Sequence, residues 1–98
     1  MRSVYQYRNY RKYLRDFYHE KKRSNPYYSF RVFSMRAGFR APNVLKLVMD
    51  GERNLTRNSV EKFIKGLSLC DGEARCFENL VLCNQGKLMG EVASSQAA

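Results

Sequence analysis

The sequence predicts an all-α fold, and three observations predict it. Apolar residues recur at three- and four-residue steps in five stretches, no stretch alternates as a half-buried strand would, and the breaks between them hold residues that cap or end helices. At 98 residues the chain can enclose one small core but not two. The expected domain covers residues 1–87, and the small, polar segment 88–98 is expected to be a mobile tail.

A first helix is expected from Tyr7 to Lys22, because Tyr7, Tyr10, Tyr13, Leu14, Phe17 and Tyr18 form one aromatic stripe at helical spacing. Its other face is basic, with Arg8, Arg11, Lys12, Arg15 and Lys22. Ser24-Asn25-Pro26 ends it, since the residue before a proline is pushed out of the helical region. Tyr27 and Tyr28 then lie in a loop, free or packed as a plug beside the proline. Ser29 can cap a second helix by accepting from the unpaired N–H groups of its first turn. Phe30, Phe33 and Ala37 form its inner face, with Val32 or Met35 at the margin, and Gly38 closes it by taking positive φ.

A third helix is expected from near Pro42, which is tolerated at a first helical position, to Asp50-Gly51. Thr56 caps a fourth with Val60, Phe63, Ile64 and Leu67 inward. Asp71 caps a fifth, whose inner face holds Ala74, Phe77, Leu80, Val81 and Asn84. Cys70, Cys76 and Cys83 show neither zinc-ligand nor redox spacing and read as reduced thiols, with Cys76 and Cys83 able to share a buried helix face.

Charge narrows the choice of partner. There are 18 basic and 9 acidic side chains, giving a net charge of +9. Residues 1–25 carry eight basic and two acidic groups, residues 26–69 eight and three, and residues 70–98 two and four. The excess sits in the front and middle of the chain, a field that suits a polyanion. Apolar runs are too short to span a membrane, and Arg2 is followed by Tyr5, Tyr7 and Arg8 in place of the apolar stretch of a signal peptide, so a cytoplasmic protein is expected. No phosphate-cradling glycine loop, nucleophile with its base or carboxylate pair is recognisable, and His19 has no ligand partner at metal spacing. The expectation is a binding module without catalytic residues, cofactor or metal.

The order of signals from Ser29 to Leu69 is that of a helix-turn-helix with its buttressing helix: a capped helix, the Gly38 turn, a second helix, the Gly51-Glu52-Arg53-Asn54-Leu55 loop and the Thr56 cap. This segment resembles the lambda-repressor-like helix-turn-helix domains of bacterial and phage regulators. More widely, Tyr10 to about Lys87 looks like the N-terminal domain of a family of uncharacterised bacterial regulators. Those proteins carry motifs similar to Tyr10-Arg11-Lys12-Tyr13-Leu14, Pro42-Asn43-Val44-Leu45-Lys46-Leu47-Val48 and Arg53-Asn54-Leu55. In that family a larger C-terminal domain follows, so the resemblance implies that the chain is a fragment or a short member. It also implies a five-helix DNA-binding fold acting on double-stranded DNA, commonly as a homodimer on two half-sites. One departure is visible, because the stretch from turn glycine to loop glycine is typically a residue shorter than Gly38 to Gly51. Either Val44 and Leu47 or Leu45 and Val48 therefore face the core, leaving the other pair outward for thymine methyls, for the first helix or for a partner domain.

A helix in the major groove reads base edges while flanking groups hold phosphates. Arg40, Asn43 and Lys46 are the expected base contacts, Arg40 suiting guanine and Asn43 adenine. Asn43 can equally serve as a cap beside Pro42, and Lys46 as a solvated side chain. Ser29, Arg31, Arg36, Arg53, Asn54 and Arg57 are the expected backbone contacts, with Arg53 alternatively paired to Glu52 or Glu61. The alternative to DNA binding is a protein-interaction module that kept the fold without operator recognition and uses the outward apolar residues of the third helix.

Overall fold

The structure, a computed structural model, describes residues 3–86; the expected tail 88–98 lies outside the described residues. Among those described, the order is a short 3-10 turn at Val4–Gln6, then α1 (Tyr10–Ser24), α2 (Phe30–Ala37), α3 (Val44–Met49), α4 (Arg57–Leu67) and α5 (Asp71–Gln85), with no strand. The five expected helices are present and the fold is all-α.

Three starts differ from expectation. α1 begins at Tyr10, not Tyr7, because the Asn9 side chain accepts from the N–H groups of Arg11 (2.8 Å) and Lys12 (3.2 Å) and so fixes the first turn. Tyr7 stays extended yet packs edge-on against Tyr13, 5.1 Å between centroids, and its hydroxyl donates to Asp16. α3 begins at Val44, not near Pro42, and Asn43 stands at its N-cap position without a side-chain capping bond. Ser29 and Thr56 cap α2 and α4 as expected, accepting from Val32 N–H and Ser59 N–H. Cys70, not Asp71, is the cap residue of α5, and its N–H donates to Glu73 Oε1 at 3.1 Å.

Rings join the helices. The α1 stripe buries Tyr10, Tyr13, Leu14 and Phe17. Phe17 meets Phe33 of α2 at 6.2 Å, Phe33 meets Phe63 of α4 at 5.1 Å, and Tyr10 meets Phe77 of α5 at 6.2 Å. Each such edge-to-face pair adds about 0.5–1.5 kcal/mol to what burial contributes. α2 lies so close on α4 that a Cβ at Gly66 would stand 2.8 Å from the Phe33 ring, which is why no larger residue fits there. The 25–28 loop resolves its two tyrosines oppositely, with Tyr28 buried between Phe17 and Tyr18 while Tyr27 is 88% exposed.

α5 buries Phe77 and Val81, while Ala74 and Leu80 are half-buried. Cys76 is half-buried and Cys70 and Cys83 are exposed, so the expected buried cysteine pair is corrected. Asn84 is exposed instead of inward, yet its side chain is engaged. Its Oδ1 accepts from Tyr10 N–H (2.8 Å) and its Nδ2 donates to Arg8 C=O (3.1 Å), which completes the start of α1 from the end of α5. Gln85 does the same for the loop before α4, accepting from Leu55 N–H at 2.7 Å and donating to Leu55 C=O at 3.0 Å.

Candidate nucleic-acid interface

The turn between α2 and α3 is built on Gly38, whose φ of 93° a side chain would resist. Gly38 N–H donates to Met35 C=O (3.3 Å) and Phe39 N–H to Ser34 C=O (2.8 Å), the paired bonds that close a helix in a left-handed residue. Phe39 then turns inward, edge-on to Phe63 at 5.5 Å, with the Lys62 ammonium 5.1 Å above its ring. These contacts anchor the turn on α4 and leave Arg40, Ala41, Pro42 and Asn43 exposed.

α3 is short and mostly core. Of its six residues Val44, Leu45, Val48 and Met49 are buried and Leu47 is half-buried, leaving Lys46 as its exposed one. The expectation of an outward apolar pair is thereby corrected, since both Leu45 and Val48 are fully enclosed and Val44 joins them. α2 and α3 are joined by a connection running from 38 to 43. That is longer than the three or four residues of a tight helix-turn-helix turn. Exposed side chains therefore cluster at the entry to α3 and not along its body.

At that entry lies a notch of about 210 Å³ lined by Arg31, Ser34, Met35, Phe39, Arg40 and Pro42. It brings one expected base-contact residue, Arg40, together with one expected backbone-contact residue, Arg31. Met35, expected at a helix margin, is 72% exposed on its rim. Ser34 is buried, and its hydroxyl is the single buried side-chain polar atom among the described residues that has no hydrogen-bond partner. No acidic residue occurs between Glu20 and Asp50, so the notch sits in a stretch of chain whose seven charged side chains, from Lys21 to Lys46, are all basic.

The remaining expected contacts are dispersed. Lys46 pairs with Asp50 at 2.8 Å, and that hydrogen bond holds its pKa above the ordinary lysine value. Arg57 lies 3.9 Å from Glu78 on α5. Arg36, roughly 140° around α2 from Arg31 at 100° per residue, approaches Tyr28 and opposes part of the rise that burial imposes on that phenol. Ser29 is occupied by its cap. Asn54 accepts from Arg11 Nη2 at 2.7 Å. Arg53 is exposed and forms no ion pair with Glu52 or Glu61 among the described residues, while its carbonyl accepts from Arg11 at 3.0 Å.

Arg11 and Arg15 are where the sequence reading missed a role. Arg15 Nη2 donates to Met49 C=O (2.9 Å), a carbonyl at the end of α3 without a backbone partner, and Arg11 Nη1 adds a second donor (2.5 Å) to Val48 C=O, which also accepts from Gly51 N–H at 3.1 Å. Lys22 of the same nominally solvent-facing set donates to Tyr28 C=O at 2.8 Å. No local pattern marks these bonds, since the Arg11 partners lie 37 to 43 residues away.

Among the described residues no group of His, Cys, Asp and Glu is placed to hold a metal ion, and no helix is long and apolar enough to cross a membrane. Comparisons with known protein families, with curated proteins and with solved structures found no match.

Proposed function

We propose that this chain binds double-stranded DNA as a lambda-repressor-like domain of a cytoplasmic bacterial transcriptional regulator, entering the major groove with the start of α3. One observation carries the reading: Arg31 from α2 and Arg40 from the turn meet at one exposed notch in a segment without acidic side chains. A guanidinium offers a planar fork of donors that matches both phosphate oxygens and the O6/N7 edge of guanine. Asn43, exposed and making no capping bond, stands next to Arg40 at the same end of the helix and suits adenine. Positive end charges of a helix and its unpaired first N–H groups favour phosphate near this point as well. Lys46 joins the contact only by leaving Asp50, so it ranks behind Arg40 and Asn43. The interaction-module reading loses its motive, because the apolar residues of α3 that were to receive a partner are core.

The test is the salt dependence of binding to a mixed-sequence duplex, followed by fluorescence anisotropy. Each phosphate contact should contribute about −0.9 to the slope of log K against log salt, and the variant carrying Arg31→Ala with Arg40→Ala should flatten it by about one to two units. An unchanged slope in that variant would place both arginines off the DNA. Absence of duplex binding at low salt would overturn the reading itself.

A further inference from the structure

With Leu45 and Val48 enclosed, apolar contact with base edges cannot come from the buried side chains of α3, yet an apolar surface is present beside the two arginines. Met35 is among the few large hydrophobic side chains left exposed in the described residues, and it lies one helical turn after Arg31 on the same face of α2. Pro42 lines the other side of the notch, Phe39 lies between, and Arg31 and Arg40 supply the charged rim. A cationic rim excludes a purely apolar occupant, and a sulfur-containing, flexible side chain beside a proline ring does not recognise a phosphate by itself. The combination calls for a ligand that is anionic at its edge and carries a small apolar projection. In the major groove thymine has that character, with a 5-methyl group next to an O4 acceptor and flanking phosphates.

We propose that Met35 and Pro42 form a thymine-reading contact, in which the 5-methyl group packs into the notch while Arg31 and Arg40 hold the neighbouring phosphate and base edge. This inference rests on the duplex-binding reading above and adds a specificity-determining residue to it.

The experiment compares two duplexes that differ only in that methyl group. An alternating A·T duplex presents a thymine at every other base of each strand, so some register always places one at the notch. Its counterpart replaces every thymine with uracil. The parent chain should bind the thymine duplex about fourfold more tightly for each methyl buried. Met35→Ala should bind both duplexes alike, and Met35→Leu, which restores an apolar side chain of similar bulk, should recover most of the preference. Met35 is exposed, so both variants should keep the parent circular dichroism and melting curve. Equal affinity of the parent for the two duplexes would overturn this inference and leave the duplex reading standing. A preference that survives in Met35→Ala would also overturn it, since the methyl would then be read elsewhere. Failure to bind either duplex at low salt would overturn both.

Discussion

The two ends of α3 hold arginines in opposite states. At its C-terminal end Arg11 and Arg15 reach across from α1 and spend their donors on Val48, Met49, Arg53 and Asn54. At its entry Arg31 and Arg40 line an open notch. Both pairs come from stretches that read alike in the sequence, basic residues opposite an apolar stripe. The difference is that a helix C-terminus presents unpaired carbonyls, which attract cations, whereas its start presents N–H groups that repel them. A clasped end and an open end together give α3 a fixed base from which only its start is offered to a partner.

Removing the floor beneath the open end should have the largest effect. Phe63 is fully buried and touches both Phe33 and Phe39, so Phe63→Ala deletes the contact that anchors the turn and leaves a cavity. A loss of about 3–5 kcal/mol is expected from urea unfolding, a large share of a small domain's stability. An unfolding midpoint close to that of the parent would mean that α4 does not carry the turn.

Next comes the direct contrast between arginines. Arg11→Ala removes a charged donor from three oxygen acceptors, of which the Val48 carbonyl keeps Gly51 N–H, and should cost about 1–2 kcal/mol, since bonds to charged donors are worth more than neutral ones but are not additive. Arg31→Ala, exposed at the notch, should stay within about 0.5 kcal/mol of the parent. Its cost should fall on duplex affinity instead. Equal stability losses in the two variants would erase the distinction between clasp and contact.

Much of the frame was legible in the sequence because helical spacing repeats locally. Tyr10, Tyr13, Leu14 and Phe17 could be placed by counting, and so could Phe33, Phe63, Phe77 and Val81. α3 could not, because Val44, Leu45, Leu47 and Val48 are all apolar and a six-residue helix gives the period no room to declare itself. At the candidate site, charge pointed to Arg31 and Arg40 but equally to Arg36 and Arg57, and only packing separates them. The clasp was hidden for another reason: Arg11 and the Val48 carbonyl are 37 residues apart, and a side chain bonding to a distant backbone leaves no trace in either neighbourhood.

The tyrosines of the frame offer a pH-dependent test. Burial pushes the Tyr13 phenol up to about 12 and raises Tyr10 and Tyr28 in the same direction. In the unfolded chain these groups ionise near their ordinary value of 10.0, while in the fold they resist doing so. Their contribution is therefore complete below pH 10 and is lost as the pH rises from there toward about 12. Melting temperature should fall across that window, with the part of the tyrosinate absorbance that belongs to the buried rings appearing together with unfolding. Tyrosinate absorbance from all seven tyrosines while the helical circular dichroism persists would show that these rings are accessible to solvent.

The smallest stability effect is expected at the point where the two ends of α3 communicate. Lys46 and Asp50 form an exposed ion pair one turn apart, and exposed pairs contribute little because water and salt screen them. Asp50→Asn should accordingly leave the unfolding midpoint within experimental scatter. Duplex binding should respond more. The substitution removes a carboxylate from the same short helix and weakens the hold on Lys46, so that its ammonium becomes available to DNA. Affinity should rise severalfold at low salt, and the gain should vanish in the variant that also carries Lys46→Ala. If Asp50→Asn binds no better than the parent, Lys46 lies on the clasped side of α3, and the contact surface ends at Arg40 and Asn43.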